Sequence, residues 1–193
     1  METGNKVKHH LYVRDNKAVS FSEGTLKKIN SLTGRYPEGK QKSALLPVLH
    51  IAQEELGGYL SVDTMDYVAS LLNINPVEVY EVATFYSMFY LEKVGKYVIE
   101  VCHTGPCAIC GGEEVLKHIK DYLQIETGET TPDGMFTLKE VECLGACGNG
   151  PSMQINTEFY EHMTNSQVEK VIESLRQKPE EERSATGWAE LFS

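Results

Sequence analysis

The 193-residue chain has no apolar run approaching the ~18 residues that a membrane span needs. It has no G-x-G-x-x-G fingerprint and no P-loop, so no nucleotide-phosphate cradle is expected on it. Basic residues are in deficit, with 18 Lys and Arg against 28 Asp and Glu, a net charge of -10. An acidic surface repels nucleic acid and anionic membrane, which removes both from the expected partners. Internal repeats at solenoid spacing are absent. The N-terminal stretch METGNKVKHHLYVRDNK has neither the apolar core and small-residue cleavage site of a secretory signal nor the Arg- and Ser-rich amphipathic character of a mitochondrial presequence. A cytoplasmic protein without a membrane span is expected.

What is present is ordinary in bulk. Hydrophobic residues make up 41% and charged residues 24%, the balance of a globular protein with room for one sizeable domain or two small ones. The polar, weakly patterned residues 1–23 read as a flexible arm with little structure of its own. A short helix is expected from Gly24 to about Leu32, then a loop marked by Gly34, Pro37 and Gly39. Leu45, Leu49, Ala52 and Leu56 recur at helical spacing, with Pro47 near the start and Gly57–Gly58 as a stop. Ser61 caps the next helix, with Met65, Val68, Ala69 and Leu72 on its apolar face. Asn75, Pro76 and Glu78 form the opening of another, in capping-box order, running to about Met88. Three helices with tight connections predict a small antiparallel bundle within residues 24–92. The aromatic run ATFYSMFYL is read as bundle core plus packing on the second domain, or else as a face that meets another subunit.

After a linker at Lys93–Lys96 the hydrophobic period changes. YVIEVC (97–102) reads as a strand, Gly111 to about Leu123 as a helix, and FTLKEVEC (136–143) as a second strand. Ser152–Ile155 and the residues around Phe159 and Tyr160 make two more, and a last helix, capped by Asn165, buries Val168, Val171, Ile172 and Leu175. The order β-α-β-β-α over residues 97–178 is that of a small thioredoxin-like sheet with helices on its faces, so the chain is expected to be α/β. Residues 179–193 form an acidic tail in which Trp188, Leu191 and Phe192 either fold back or dock on a partner.

The chemistry is concentrated in five cysteines. Cys102 and Cys107 form a C-x4-C pair, Cys143 and Cys147 a C-x3-C pair, and Cys110 stands three residues after Cys107. Each pair lies in a glycine-rich loop after a strand-like run. An odd set of five in a reducing compartment argues for metal or redox work rather than a disulfide framework. A [2Fe–2S] rhomb needs two sulfurs on each iron, and each loop could supply one iron with both. Glycines beside the sulfurs would let main-chain N–H groups approach the cluster and tune it. Zinc also takes four thiolates in short pairs, though more often with x2 spacing, which would make the chain a structural scaffold. Cys107-Ala-Ile-Cys110 is a C-x-x-C between a strand and a helix, the place of a thiol–disulfide active site, but it leaves Cys143 and Cys147 without a task. Cys102, Cys107 and Cys110 also show plant-type ferredoxin spacing, which the element order does not favour. His103 could hydrogen-bond or ligate, but four cysteines suffice. His50, His118 and His162 are read as packing or surface residues, and Tyr97, Glu100 and Glu142 as sheet positions.

The segments LLPVLHIAQEELGGYLS, VYEVATFYSMF, VCHTGPC and TTPDGMFTLKEVECLGACGNGPSMQIN, in that order, resemble the small [2Fe–2S] component of bacterial NADH–quinone oxidoreductase (respiratory complex I), its E-type chain, in the thioredoxin-like [2Fe–2S] ferredoxin family. The resemblance runs from about Lys42 to about Val171. It implies that Cys102, Cys107, Cys143 and Cys147 hold one [2Fe–2S] cluster, with Cys110 a non-ligand thiol buried near the helix start. It implies a role without a substrate site on this chain: the cluster exchanges single electrons with FMN on a larger subunit of the F type, which oxidises NADH. A larger iron–sulfur subunit and a place on the cytoplasmic side of the bacterial inner membrane are implied with it. Related small subunits serve NAD-linked hydrogenases and formate dehydrogenases, and the cysteines alone do not separate these partners.

Overall fold

A computed structural model of the chain describes residues 14, 15 and 18–178. The start of the expected arm and the acidic tail from Pro179 lie outside the described residues. The chain divides into two compact units, one up to Lys93 and one from Val94.

In the first unit, α1 spans Glu23–Thr33, α2 Leu45–Glu55, α3 Val62–Leu72 and α4 Pro76–Phe85, with a 3-10 turn at Gln41–Ala44 leading into α2. The caps follow the residue types. Ser22 Oγ accepts from the Thr25 amide at 3.3 Å and Ser61 Oγ from the Thr64 amide at 3.1 Å, each satisfying an otherwise orphaned N–H of a first turn. At α4 Asn75 accepts from Val77 and Glu78 reaches back to the Asn75 amide, both at 3.0 Å. Val48, Leu49, Met65, Val68, Leu72 and Val79 form the buried interior. The described part of the arm before Glu23 has no helix or strand, yet it is tied down: Arg14 pairs with Asp63 at 3.0 Å, Tyr59 donates to Asp15 at 2.6 Å, and Phe21 is buried against Tyr67.

Helix α4 stops at Phe85, three residues short of the expected Met88. Buried Gln53 accounts for this: its amide donates to Met88 O at 3.1 Å and accepts from the Tyr90 N–H at 2.7 Å. Those main-chain groups are therefore taken from a helical path, and Tyr86 turns extended. The aromatic run divides accordingly. Phe89 and Tyr90 are buried, Phe89 packing on buried His50 with ring centroids 4.8 Å apart, whereas Phe85 is 78% exposed. Burial pushes the His50 imidazole pKa down to about 4.

In the second unit, β1 spans Tyr97–Cys102, α5 Gly105–Ile109, α6 Gly112–Leu123, β2 Phe136–Val141, β3 Met153–Ile155, β4 Glu158–Tyr160 and α7 Asn165–Gln177. The sheet order is β2-β1-β3-β4, with β1 parallel to β2 and antiparallel to β3, and β3 antiparallel to β4. Alternation decides the faces. Tyr97, Ile99 and Val101 enter a core with Val115, Ile119 and Leu123 of α6, Val168, Ile172 and Leu175 of α7, and Phe136 and Leu138 of β2. Burying one such side chain contributes ~1.5–3 kcal/mol. The cap of α7 is Thr164 rather than Asn165. Thr164 Oγ1 accepts from the Gln167 amide while Gln167 Oε1 accepts from the Thr164 amide, a reciprocal pairing that Asn165 is one residue too late to make. Two short elements go beyond the sequence expectation: α5, and a 3-10 turn at Cys147–Asn149. Both lie in the cysteine loops.

Candidate metal centre

The sheet order brings the two cysteine pairs together. Because β1 and β2 are parallel, they end at the same edge of the sheet, and antiparallel β3 begins there. The connection from β2 to β3 must therefore pass over the end of β1, where Cys102 lies and Cys107 follows. The His103 amide donates to Val141 O and the Cys102 amide to Ser152 O, both at 3.2 Å, so the end of β1 is held between the two roots of the second loop.

The sulfurs follow the backbone. Cys102 Sγ, 2% exposed as a residue, donates to Glu142 O at 3.4 Å and lies 3.5 Å from Thr104 Oγ1. The Thr104 hydroxyl donates to the same carbonyl. Cys107, 1% exposed, places its sulfur 3.3 Å from Ser152 Oγ. The first pair thus touches the second loop at both ends, beside Cys143 and after Cys147. In the second loop Cys143 accepts from the Gly145 amide at 3.4 Å, and both Cys143 and Cys147 are exposed.

Two glycines make the approach possible. A Cβ on Gly112 would fall 2.8 Å from Cys107 O and 2.9 Å from Cys102 O, so only glycine lets α6 begin under the first pair. A Cβ on Gly150 would fall 3.3 Å from Cys107 Cα, a tight contact with backbone, and 3.4 Å from Cys107 Sγ. The second loop therefore crosses the first in close contact.

The sulfurs sense one another. Burial pushes the Cys102 thiol up, but hydrogen bonds from the Thr104 side chain and amide, from Cys107 and from the Leu144 amide outweigh it, leaving the thiol below its ordinary value. Cys147 is raised, first by its hydrogen bond to Cys143 and the charge there, then by desolvation and by the charges of Cys107 and Cys102. Four soft donors in two pairs, with amides aimed at sulfur, suit a binuclear iron–sulfur centre. Among the described residues no three His, Cys, Asp or Glu side chains are grouped around a single ion position.

Cys110 departs from expectation. It is exposed, not buried, because it ends α5 just before left-handed Gly111 and borders a cleft of about 380 Å³ shared with Glu114, Pro151 and Met163. His103 lies between Glu140 and Glu142, at 3.4 and 3.7 Å. Glu142, read as a sheet position, lies beyond the end of β2, and its carbonyl is the partner of Cys102 and Thr104. Sequence reasoning does not single out Thr104, Ser152 or Gly112. Their signal is adjacency to cysteine or to the Gly150–Pro151 bend, and their roles depend on contacts across the loops.

A mixed four-stranded sheet, two helices joined in one core, and cysteine pairs in two loops at one end of the central strand define a small thioredoxin-like α/β domain with a thiolate-rich end. The chain belongs to the thioredoxin-like [2Fe-2S] ferredoxin family, whose profile it matches over residues 29–176. It is 42% identical over 170 residues to NADH dehydrogenase [ubiquinone] flavoprotein 2, mitochondrial, of Dictyostelium discoideum, an alignment covering 86% of this chain and 69% of that one. It is 45% identical over 159 residues to the E-type chain of NADH-quinone oxidoreductase from Rickettsia felis, covering 82% of this chain and 91% of that one. Among solved structures it is similar to an NAD+-reducing [NiFe]-hydrogenase in the H2-reduced state, with a TM-score of 0.62 and 21% identity over 72% of this chain. The match takes in 23% of that longer chain, and the likeness is one of fold. No helix among the described residues is long and apolar enough to cross a membrane.

Proposed function

We propose that the chain is an electron-transfer subunit of an NADH–quinone oxidoreductase, holding one [2Fe–2S] cluster through Cys102, Cys107, Cys143 and Cys147. The observation that carries this reading is the β2–β3 loop crossing the end of β1, which sets the second cysteine pair over the first. The identity to the Rickettsia felis chain, over most of both sequences, supports the assignment to that complex. The cluster, when bound, supplies one-electron oxidation and reduction.

The chain's own residues have three tasks. The end of β1 and α5 hold the first pair of sulfurs, buried and backed by Thr104 and Ser152. The Gly145 and Leu144 amides donate to sulfur, which favours the thiolate form and lowers the electron density there. The second loop leaves Cys143 and Cys147 at the surface, where a redox partner can approach. The partner in this reading is a flavin subunit that binds NADH and FMN, with a larger iron–sulfur subunit beside it, in a complex on the cytoplasmic side of the membrane.

The test is purification with iron, followed by visible absorption and EPR after dithionite reduction. Charge-transfer bands, two irons per chain and a reduced-state EPR signal are expected. A colourless protein with stoichiometric zinc overturns the reading.

A further inference from the structure

The fifth cysteine takes no part in the proposed cluster. Cys110 follows Cys107 by one helical turn, in C-x-x-C order between β1 and α6. It still belongs to that turn, because its amide donates to Pro106 O at 3.0 Å. Helix geometry sets such residues about 5 Å apart at Cα, inside the roughly 4.4–6.8 Å span of a disulfide. Both side chains border one point of the second loop. A Cβ on Gly150 would lie 3.4 Å from Cys107 Sγ and 3.5 Å from Cys110 Cβ. A regular helix keeps such Cβ atoms about 5–6 Å apart, whereas a disulfide needs about 4 Å. The turn can close that gap because α5 ends at Ile109. Cys110 has φ -83° and ψ 5°, off the helical pair, and Gly111 after it is left-handed with φ 100°.

The thiols differ in access. Cys107 and Cys102 are buried, whereas Cys110 is exposed on the cleft it shares with Glu114, Pro151 and Met163. A dissolved disulfide therefore meets Cys110 first, and Cys107 only through it. Cys102 is the competing partner for Cys107, since their side chains are hydrogen-bonded. Its sulfur is also engaged by the Glu142 carbonyl and Thr104 Oγ1, and a buried thiol gives an oxidant no point of entry.

We propose that Cys110 is the entry thiol of a redox lock on cluster loading. In the cluster-free chain it joins Cys107 in a disulfide, which withholds one of the four ligands until a thiol reductant returns it. The proposal rests on the cluster reading above, since the lock has meaning only if Cys107 is a ligand. The oxidant is a low-molecular-weight disulfide, RS–SR. The Cys110 sulfur attacks it, giving Cys110–S–SR and one RSH, which takes the Cys110 proton. The Cys107 sulfur then attacks the Cys110 sulfur, forming the Cys107–Cys110 bond and releasing a second RSH with the Cys107 proton. Two protein thiols lose two electrons, and one RS–SR gains them. Two equivalents of small thiol, or one dithiol, reverse both steps. A Cys107 sulfur already bound to iron cannot make the second attack, so the loaded chain stops at the mixed disulfide on Cys110.

The experiment uses the full chain, stripped of metal under reduction and then treated with glutathione disulfide as the probe. Differential alkylation with tandem mass spectrometry reads each cysteine. Loading from ferrous iron and sulfide is followed by visible absorption. The expected product is a Cys107–Cys110 disulfide, with iron uptake lowered ~5-fold or more and restored by dithiothreitol. In Cys110→Ser and in Cys110→Ala, Cys107 is expected to stay open to alkylation and the treated chain to load as the untreated one does. The loaded wild type is expected to carry glutathione on Cys110 and no bond from there to Cys107. A Cys102–Cys107 disulfide as the main product overturns the lock. So does a loss of loading as large in Cys110→Ser as in wild type, or a Cys110 adduct that Cys107 never displaces. A reduced wild-type chain that takes up no iron defeats the cluster reading and the lock with it. One that loads equally before and after the oxidant defeats the lock alone.

Discussion

The first cysteine loop and the second reach the same place by opposite means. Cys102 and Cys107 are buried, on the last residue of the central strand and on a short helix, with Thr104 and Ser152 against their sulfurs. Cys143 and Cys147 are exposed, on a loop whose regular structure is a single 3-10 turn. The fold by itself positions the first pair. The second pair gains little from burial, so in the function proposed above its position leans on the cluster.

Several substitutions would break or sharpen that contrast. The largest effect is expected from Cys107→Ala, which should remove nearly all bound iron and lower Tm of the second unit by about 10 °C. In the cluster-free chain the loops should separate: Cys107→Ala costs ~1–2 kcal/mol through the lost buried sulfur, while Cys143→Ala stays within ~0.5 kcal/mol. Equal costs by denaturant titration would remove the distinction.

Acid should act on the other unit. Folded His50 takes its proton only near pH 4, whereas the unfolded chain takes it near 6.5. Between those values the unfolded state holds more protons, so stability falls as pH falls, by up to ~3 kcal/mol at the lower end. The expected result is that His50→Gln flattens the pH dependence of unfolding followed by circular dichroism, without altering cluster absorption.

Glycine substitutions compare the loops by sterics. Gly112→Ala places a methyl against the Cys102 and Cys107 carbonyls and should destabilise the second unit by ~1–3 kcal/mol, with loss of iron. Gly148→Ala meets open space and should stay within ~0.5 kcal/mol. The smallest effect is expected from Cys110→Ser, with iron content and stability unchanged within ~0.5 kcal/mol. Loss of iron there would make Cys110 a ligand and revive ferredoxin-like x2 spacing.

Much of the fold is legible in the sequence because its signals are local. Ser61 and the Asn75–Pro76–Glu78 opening mark helix starts through side chains that reach their own first turn. The strand at 97–102 shows in its apolar run, and alternation marks the strand expected at 136–143, which ends two residues early at Val141. The failures are where a distant residue intervenes or where the local signal is too short or ambiguous. Gln53 ends α4 early by taking main-chain groups some 35 residues away in sequence. The cap at Thr164 is easily misplaced by one residue, since two candidate cap residues stand side by side. The short helix α5 is too brief to leave a period, and exposed Cys110 looks buried when judged by residue type alone.

The sequence alone determined which atoms can do the chemistry, since the sulfur count, the paired spacings and the glycines around them are properties of the chain. It also determined the helix caps and the change from helical to strand period, both set by interactions a few residues long. Only the tertiary structure decided that the loops carrying the pairs cross, which sulfurs are buried, and which residues back them. The reason is strand order: placing β1 between β2 and β3 forces the β2–β3 loop across its end, and contacts separated by some forty residues leave no local trace.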